Sequence, residues 1–598
     1  MIEPAYVNLH KSMRDILAPL LTDSYKLSHL EMSSNGINKI YSNFTPRFVT
    51  YFEKQFPNYD GKIVWFGLQA VIKQVLFEMW EDTFFNKDKT EVIQELKDIL
   101  GPYIGMTNFK HFEDLYDLGY MPIEIKALKE GSLVSPGIPC FTIINTLNGF
   151  QWLPNFLESI LTVQLWKMMT TASVGRLFKI NSEKYALLTN GSVVGVEFQN
   201  HDFSLRGQAG FESAGAAGAG FLLSSSGTDN VPALMFIDNY YNTNIRSNPQ
   251  AFSVRASEHS ITVLGIQIKA KMLESDPDHP VLKLYDEILV AAEHLYLEEL
   301  LIKFPEGILS YVSDSYDFYG LISKVLPNLK DLIMGRKGKL VIRPDSGDPV
   351  EVVAGVEVLD YSEEESLDNA SYEAFQDVLE QIETYHACPV NVKFKYKGKL
   401  YHTVYILDVD EFNVLRSWTY GSTKETTLTV EEKGTIETLY DIFGGTTNSL
   451  GYKLLDDHIG IIYGDGITIQ RSTEIFERLM YKKFSSINCV FGVGAYSLNL
   501  ISRDSLGIAF KATAAEVDLN DGNGPTLLPI YKDPKTDTSK KSAKGLLKVT
   551  YDSDAKLYHL EDNVSIEEEK EGLLETVYID GKLIREDTFE DIKNRIYS

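Results

Sequence analysis

Four times along the middle of the chain, a short apolar run ends in a polar or glycine-rich tip and gives way to a helical pattern. ILSYV at 308–312 runs into SDSYD and then FYGLISKVLPNLKDLI. KLVI at 339–342 precedes RPDSGDP, IGIIY at 459–463 precedes GDG and the helix STEIFERLMYKKF, and INCVF at 487–491 precedes GVGA. Repeated strand, polar tip and helix are the signature of parallel βα units. Folds of that kind collect their chemistry at the carboxyl ends of the strands. Four such tips in succession therefore predict a barrel-like arrangement with converging polar groups. At any single tip, turn formation and helix capping explain Gly and Asp as well.

Outside this core the rhythm breaks. Residues from about 35 to 180, and from about 512 to the end, mix strands and helices without βα repetition. GLLKVTYDS and LLETVYIDGKLI alternate like antiparallel hairpins, the second with a DG turn. The expected fold is α/β: an irregular TIM-like barrel over 181–511, with a second β-rich α+β domain assembled from 35–180 and 512–598. An insertion at about 355–450 holds an acidic helix, YEAFQDVLEQIETY, and an alternating pair, VNVKFKYKGKLYHTVYIL, with a KG turn. A structureless loop of that length is implausible, so it predicts a small appended subdomain.

Composition narrows the function. A net charge of −27 repels polyanions and argues against nucleic acid as a partner. Anionic small substrates then need locally concentrated cations, a metal ion, or both. Cys140, Cys388 and Cys489 are far apart and match no metal-ligand spacing. No run of about 18 apolar residues spans a membrane, and MIEPAYVNLHKSMRD has no apolar stretch of the signal-peptide kind. These features together predict a reducing, cytoplasmic compartment.

GAAGAG at 215–220 resembles a dinucleotide fingerprint but lacks a clear preceding strand and a suitably placed acid, so close helix packing explains it better. More informative are HDFSLRG (201–207), SSGTDNV (225–231) and SVRASEHS (253–260). In the last of these His259, flanked by Glu and Ser, can titrate near neutrality and act as a nucleophile; the alternative is a satisfied structural histidine.

Taken in order, DSYKLSH (23–29), HDFSLRG, GTD (227–229), SEHS, SDSYD (313–317), RPDSGDP (343–349), GDG (464–466), SRD (502–504) and YKDP (531–534) form a set. The set resembles the nicotinamide phosphoribosyltransferases, of the type II phosphoribosyltransferase family. The resemblance implies a homodimer with shared active sites. It also implies three substrates: nicotinamide, phosphoribosyl pyrophosphate and ATP, with Mg²⁺ carried mainly by substrate phosphates and water. The segment 1–34 would lend Asp23 and Tyr25 to the site. By resemblance Phe203 stacks on one face of the pyridine ring and the partner's Tyr25 on the other. Asp229 accepts the carboxamide N–H, a role compatible with its alternative as a helix N-cap, and Ser253 is counted among the substrate-binding residues.

The same resemblance gives Gly494, Ala495 and Arg503 to the 5′-phosphate. Asp345, Gly464 and Asp465 fall to the ribose hydroxyls, with Ser313 and Asp317 in the same layer. Arg47, Lys511, Lys532 and Lys540 match cations for pyrophosphate or ATP phosphates, and Arg206 and Arg343 are the remaining arginines at the tips. His259 is the residue phosphorylated by ATP, with Glu258 and Asp317 orienting its ring. Ser204, Leu205, Arg255 and Ala495 depart from the family's commoner Gly, Tyr, Pro and Gly. Three rivals stay open. A nicotinate phosphoribosyltransferase would meet a like charge in Asp229. A barrel lyase or isomerase acting on a sugar phosphate would need a dedicated base but not the DSYK and YKDP cations. A non-enzymatic relative would be expected to have lost some acid, cation or histidine positions.

Overall fold

The computed structural model describes residues 15–56, 59–380, 389–410, 414–532 and 543–598. Lys540 and Cys388 lie outside the described residues. Seven short strands share one parallel sheet: β1 (Asn200–Asp202), β2 (Gly227–Thr228), β3 (Arg255–Ala256), β4 (Leu309–Val312), β5 (Leu340–Arg343), β6 (Ile459–Tyr463) and β7 (Cys489–Val493). Their spatial order is β2-β1-β7-β6-β5-β4-β3. Phe252, just ahead of β3, bridges back to Gly227 in β2. There Thr228 donates to the Phe252 carbonyl (2.9 Å) and Phe252 to that of Ser226 (2.8 Å). The ring of strands is thereby closed into an irregular barrel.

Every residue of β4 and β6 is buried, as expected of parallel strands covered on both faces. One covering helix shows how a single buried stripe is turned to the sheet. Ile469–Tyr481, started by the Thr468 hydroxyl accepting from the Arg471 N–H (3.1 Å), turns Ile475, Phe476 and Leu479 inward.

A second, antiparallel sheet joins both ends of the chain. Ile37–Thr45, Phe141–Asn145 and Ile123–Ala127 pair in its middle, flanked by Ala509–Val517 on one side and Glu575–Ile579 on the other. The DG turn holds: Asp580 and Gly581 both take positive φ, 47° and 78°, as a tight two-residue hairpin requires. The helix Glu158–Asn190 runs between the layers, so the domains grade into each other through one element rather than at residue 180. The GAAGAG stretch lies in the helix Phe211–Leu222, packed on that long helix. A methyl added to Gly220 would sit 2.4 Å from the Thr171 hydroxyl, so these glycines serve close packing.

In the insertion, the helix Leu367–Glu380 covers a three-stranded antiparallel sheet of Pro389–Tyr396, Lys399–Val409 and Leu415–Glu425. The helix Val430–Phe443 belongs instead to the barrel, whose core receives Leu439 and Phe443. The separately packed part is thus shorter than 355–450. Among the described residues no helix is long and apolar enough to cross a membrane.

Candidate active site

A cavity of about 580 Å³ opens at the carboxyl ends of the barrel strands. Each tip contributes by a local mechanism. After β1, the buried Asp202 carboxylate accepts from the Ser204 N–H (2.8 Å) and from the Asn230 amide (2.9 Å), folding the chain so that Phe203 projects over the barrel mouth. Burial pushes the Asp202 carboxyl above its ordinary range. The Phe203 ring lies across two glycines: a methyl on Gly492 would come within 2.2 Å of it, and one on Gly464 within 3.1 Å. No side chain at 492 is compatible with that ring position. Leu205–Gly207 then turns Arg206 toward the cavity.

After β2 comes Asp229, exposed to the cavity and held by a hydrogen bond from the Ser253 hydroxyl (2.5 Å). The N-cap position of the following helix Val231–Tyr240 falls on Asn230, so Asp229 is not used as a cap. After β3, Ser257 stitches three tips together. Its N–H donates to the Ser310 carbonyl (2.9 Å), its hydroxyl accepts from Val312 (2.9 Å), and its carbonyl accepts from the Arg343 guanidinium (2.7 Å). His259 then opens the 17-residue helix His259–Ser275, with its ring about half exposed.

The partner of that ring differs from expectation. His259 Nε2 lies 3.0 Å from the carboxylate of Asp314, whose other oxygen accepts the Asp345 N–H (3.1 Å). An ionised carboxylate only accepts, so Nε2 is the ring nitrogen that donates in this contact. Glu258 and Asp317 were expected in this role, but both are occupied in starting helices. Glu258 accepts from the Ser260 hydroxyl (3.1 Å) and the Ile261 N–H (3.2 Å), which hold its carboxyl below the usual range. Asp317 accepts from the Gly320 N–H (2.8 Å).

The floor is acidic. Tyr463 is pushed up by burial and then by the charges of Asp465, Asp345, Asp314 and Asp348 around it. Asp345 and Asp465 line the cavity with Gly464, and opposite them Gly494 and Ala495 begin the short helix Ala495–Leu498. Ser313 is buried behind this layer with its hydroxyl unpartnered. Among the described residues no group of three or more His, Cys, Asp or Glu side chains is arranged to hold a metal ion. Below the mouth, Phe203, Asp229 and Arg343 also wall a second cavity of about 490 Å³, lined by Phe198, Val341, Ile462 and Val490 inside the barrel.

The remaining predicted residues assemble elsewhere. Tyr25 is 56 % exposed, next to Lys26, which pairs with Glu158, and Asp23 bonds to Ser159. Arg47 donates to the Gly507 carbonyl (2.7 Å), and Lys511 stands on the neighbouring strand. Burial, and then the charges of Arg47 and Lys532, hold the Lys511 ammonium below its usual range, so these three cations share one patch. Arg503 pairs with Asp504 (2.8 Å) and its charge is felt at the Tyr25 hydroxyl. None of these residues lines the barrel cavity of the same chain. One chain therefore carries two surfaces: an acidic, aromatic pocket on the barrel and a cationic, tyrosine-bearing patch.

Two side chains of the pocket region escaped sequence reasoning. Asp314 shares SDSYD with Asp317, and Ser257 sits within SEHS; the signal was the pattern of acids at helix starts, which consumes Asp317 and Glu258 and leaves Asp314.

The chain matches the nicotinate phosphoribosyltransferase (NAPRTase) family over residues 198–571. It is 34 % identical to the nicotinamide phosphoribosyltransferase of Acinetobacter baylyi, over 96 % of each chain. It is 28 % identical to the enzyme of the same name from Mycoplasma pneumoniae, over 91 % of this chain and 96 % of that one. Among solved structures, human nicotinic acid phosphoribosyltransferase aligns over 97 % of this chain and 93 % of its own, with 13 % identity and a TM-score of 0.47.

Proposed function

Since the chain belongs to the nicotinate phosphoribosyltransferase (NAPRTase) family, pentosyltransferases of NAD biosynthesis, we propose that it transfers the 5-phosphoribosyl group of phosphoribosyl pyrophosphate to nicotinamide. The bond from the pyridine nitrogen to C1′ forms as the bond from C1′ to pyrophosphate breaks, giving nicotinamide mononucleotide and pyrophosphate. The nitrogen already carries a lone pair, so no general base is needed and catalysis is chiefly positioning and charge stabilisation.

Asp229 carries the choice of nicotinamide. Its carboxylate stands at the pocket wall beside Phe203, fixed by Ser253 and free of capping duty. A carboxamide donates an N–H to it, whereas a carboxylate substrate cannot. Two like charges about 4 Å apart at an effective dielectric near 20 repel by about 4 kcal/mol. Phe203, laid across Gly464 and Gly492, offers its cavity side for the pyridine ring to stack on. Gly494, Ala495 and the cavity-lining Arg206 receive the 5′-phosphate, Arg503, expected with them, standing off this cavity so that it would reach it only from a second subunit; Asp345 and Asp465 take the ribose hydroxyls.

Pyrophosphate needs more cations than Arg206 and Arg343, the two arginines that line this pocket. Tyr25, Arg47, Lys511, Lys532 and Arg503 lie on the other surface, which supports a homodimer in which the patch of one subunit completes the pocket of its partner. Mg²⁺, entering with the phosphoribosyl pyrophosphate, would supply charge stabilisation for the leaving group. ATP then couples through His259. The ring nitrogen not bonded to Asp314 takes the γ-phosphoryl group as ADP leaves, and water later cleaves the N–P bond. The helix His259–Ser275 presents its N-terminus to that phosphoryl group.

The specificity claim is tested by Asp229→Asn. The ratio of kcat/KM for nicotinamide over nicotinate should fall by about tenfold or more, since about 1.4 kcal/mol of lost discrimination suffices. An unchanged ratio in a folded variant removes Asp229 as the selector.

A further inference from the structure

The long helix Glu158–Asn190 carries a lysine where it passes under the phosphate tip. Lys167 is only 6 % exposed, and its ammonium makes no ion pair among the described residues. Its contacts lead toward the pocket. The ammonium donates to the Asn499 side-chain oxygen (2.7 Å) and to the Leu498 carbonyl (3.3 Å), at the carboxyl end of the helix Ala495–Leu498, and it lies 4.9 Å from the centre of the Trp166 ring. Asn499 passes the link on, its amide donating to the Gly207 carbonyl (3.0 Å). Gly207 ends the turn that carries Arg206, and it packs so tightly on the phosphate helix that an added methyl would lie 2.4 Å from the Ala495 side chain. One buried cation thus ties the long helix to both elements proposed to grip the 5′-phosphate, without lining the cavity itself.

We propose that Lys167 is a positioning residue for phosphoribosyl pyrophosphate, acting through Asn499 to hold the Ala495–Leu498 helix and the Arg206 turn at the spacing the 5′-phosphate requires. The inference rests on the reading of this pocket as the phosphoribosyl pyrophosphate site. Burying a charge without an acid is costly, and burial pulls the Lys167 ammonium down to about 8, which leaves it mostly protonated at neutral pH. A methionine would fill the same space and keep the apolar contacts; the polar links to Leu498 and Asn499 are what the lysine adds.

The test uses the full-length protein with Mg²⁺ and reads phosphoribosyl pyrophosphate binding by calorimetry, together with KM for each substrate. Lys167→Met should weaken phosphoribosyl pyrophosphate binding about tenfold or more, the loss of a charge-assisted hydrogen bond, while KM for nicotinamide changes less than about twofold. Asn499→Ala should do the same, and the double variant should be no weaker than the worse single one, because both side chains serve one link. If Lys167→Met does not fold, Asn499→Ala alone carries the measurement. Unaltered binding by the folded variants, additive losses, or equal losses for both substrates would overturn the proposal. A parent protein that binds no phosphoribosyl pyrophosphate would overturn the reading of the pocket, and this inference with it; that outcome is distinct from a parent that binds and variants that bind equally.

Discussion

His259 combines three properties that a phosphoryl acceptor needs: an exposed ring, a carboxylate that accepts from its Nε2, and a place on the first turn of a 17-residue helix. Replacing it by alanine should abolish stimulation by ATP yet leave ATP-independent synthesis measurable; coupling that survives would exclude the role. Asp314→Asn can offer the ring an N–H in place of an acceptor, and should cut ATP stimulation by about tenfold or more, as expected for the partner of a reactive imidazole. Stimulation equal to the parent's would detach Asp314 from the mechanism. The presence of an acid here was legible in SDSYD; which acid was not. An acid that immediately precedes a helix is drawn to its free N–H groups, as Asp317 is to Gly320 and Glu258 to Ile261. Asp314, three residues upstream of Asp317, has no such outlet and turns to the histidine. Asp229 was readable both as a cap and as a ligand, and the N-cap position falls on Asn230 instead.

Between elements, the helix Ile288–Lys303 is joined to β4 by a buried pair: the Tyr311 hydroxyl donates to the Glu293 carboxyl (3.0 Å). Burial, with the charges of Asp317 and Asp314 adding, raises Glu293 from its ordinary 4.5 to about 7. The folded protein therefore binds the proton more tightly than the unfolded chain does. The stability this contributes is full below about 4.5 and is lost as pH rises through about 7. Glu293→Gln keeps an acceptor for Tyr311 and removes the titration. The variant should be more stable than the parent at pH 8 by about 1–3 kcal/mol, with a flatter Tm profile between about pH 5 and 7. Parallel profiles would contradict the assignment. At this scale the four longer barrel strands were readable because each is a run of apolar residues buried on both faces. β1, β2 and β3, of three residues or fewer, are too short for any period to register. The strand Leu415–Glu425 also escaped, since it is exposed along almost its whole length and shows no apolar alternation.

The whole molecule places the pocket, with its acids, Arg206 and Arg343, on the barrel, and a second group of cations on and beside a sheet woven from both chain ends. The second domain was foreseeable from its hairpins and DG turn. The long helix that fuses it to the barrel hid the boundary, because its buried residues serve both layers. If two subunits complete each other's pockets, Tyr25→Ala and Phe203→Ala proteins, each nearly inactive, should regain about a quarter of parental activity when exchanged into mixed dimers, in which half the dimers pair the two variants and one of their two sites is intact. No recovery after demonstrated exchange would contradict a shared site. The central claim, phosphoribosyl transfer to nicotinamide, is tested most directly by chromatography of the products formed from phosphoribosyl pyrophosphate and Mg²⁺ with nicotinamide or nicotinate, with and without ATP. The account predicts nicotinamide mononucleotide from nicotinamide, in greater yield with ATP, and little or no product from nicotinate; a mononucleotide made only from nicotinate, or none from either, would contradict it.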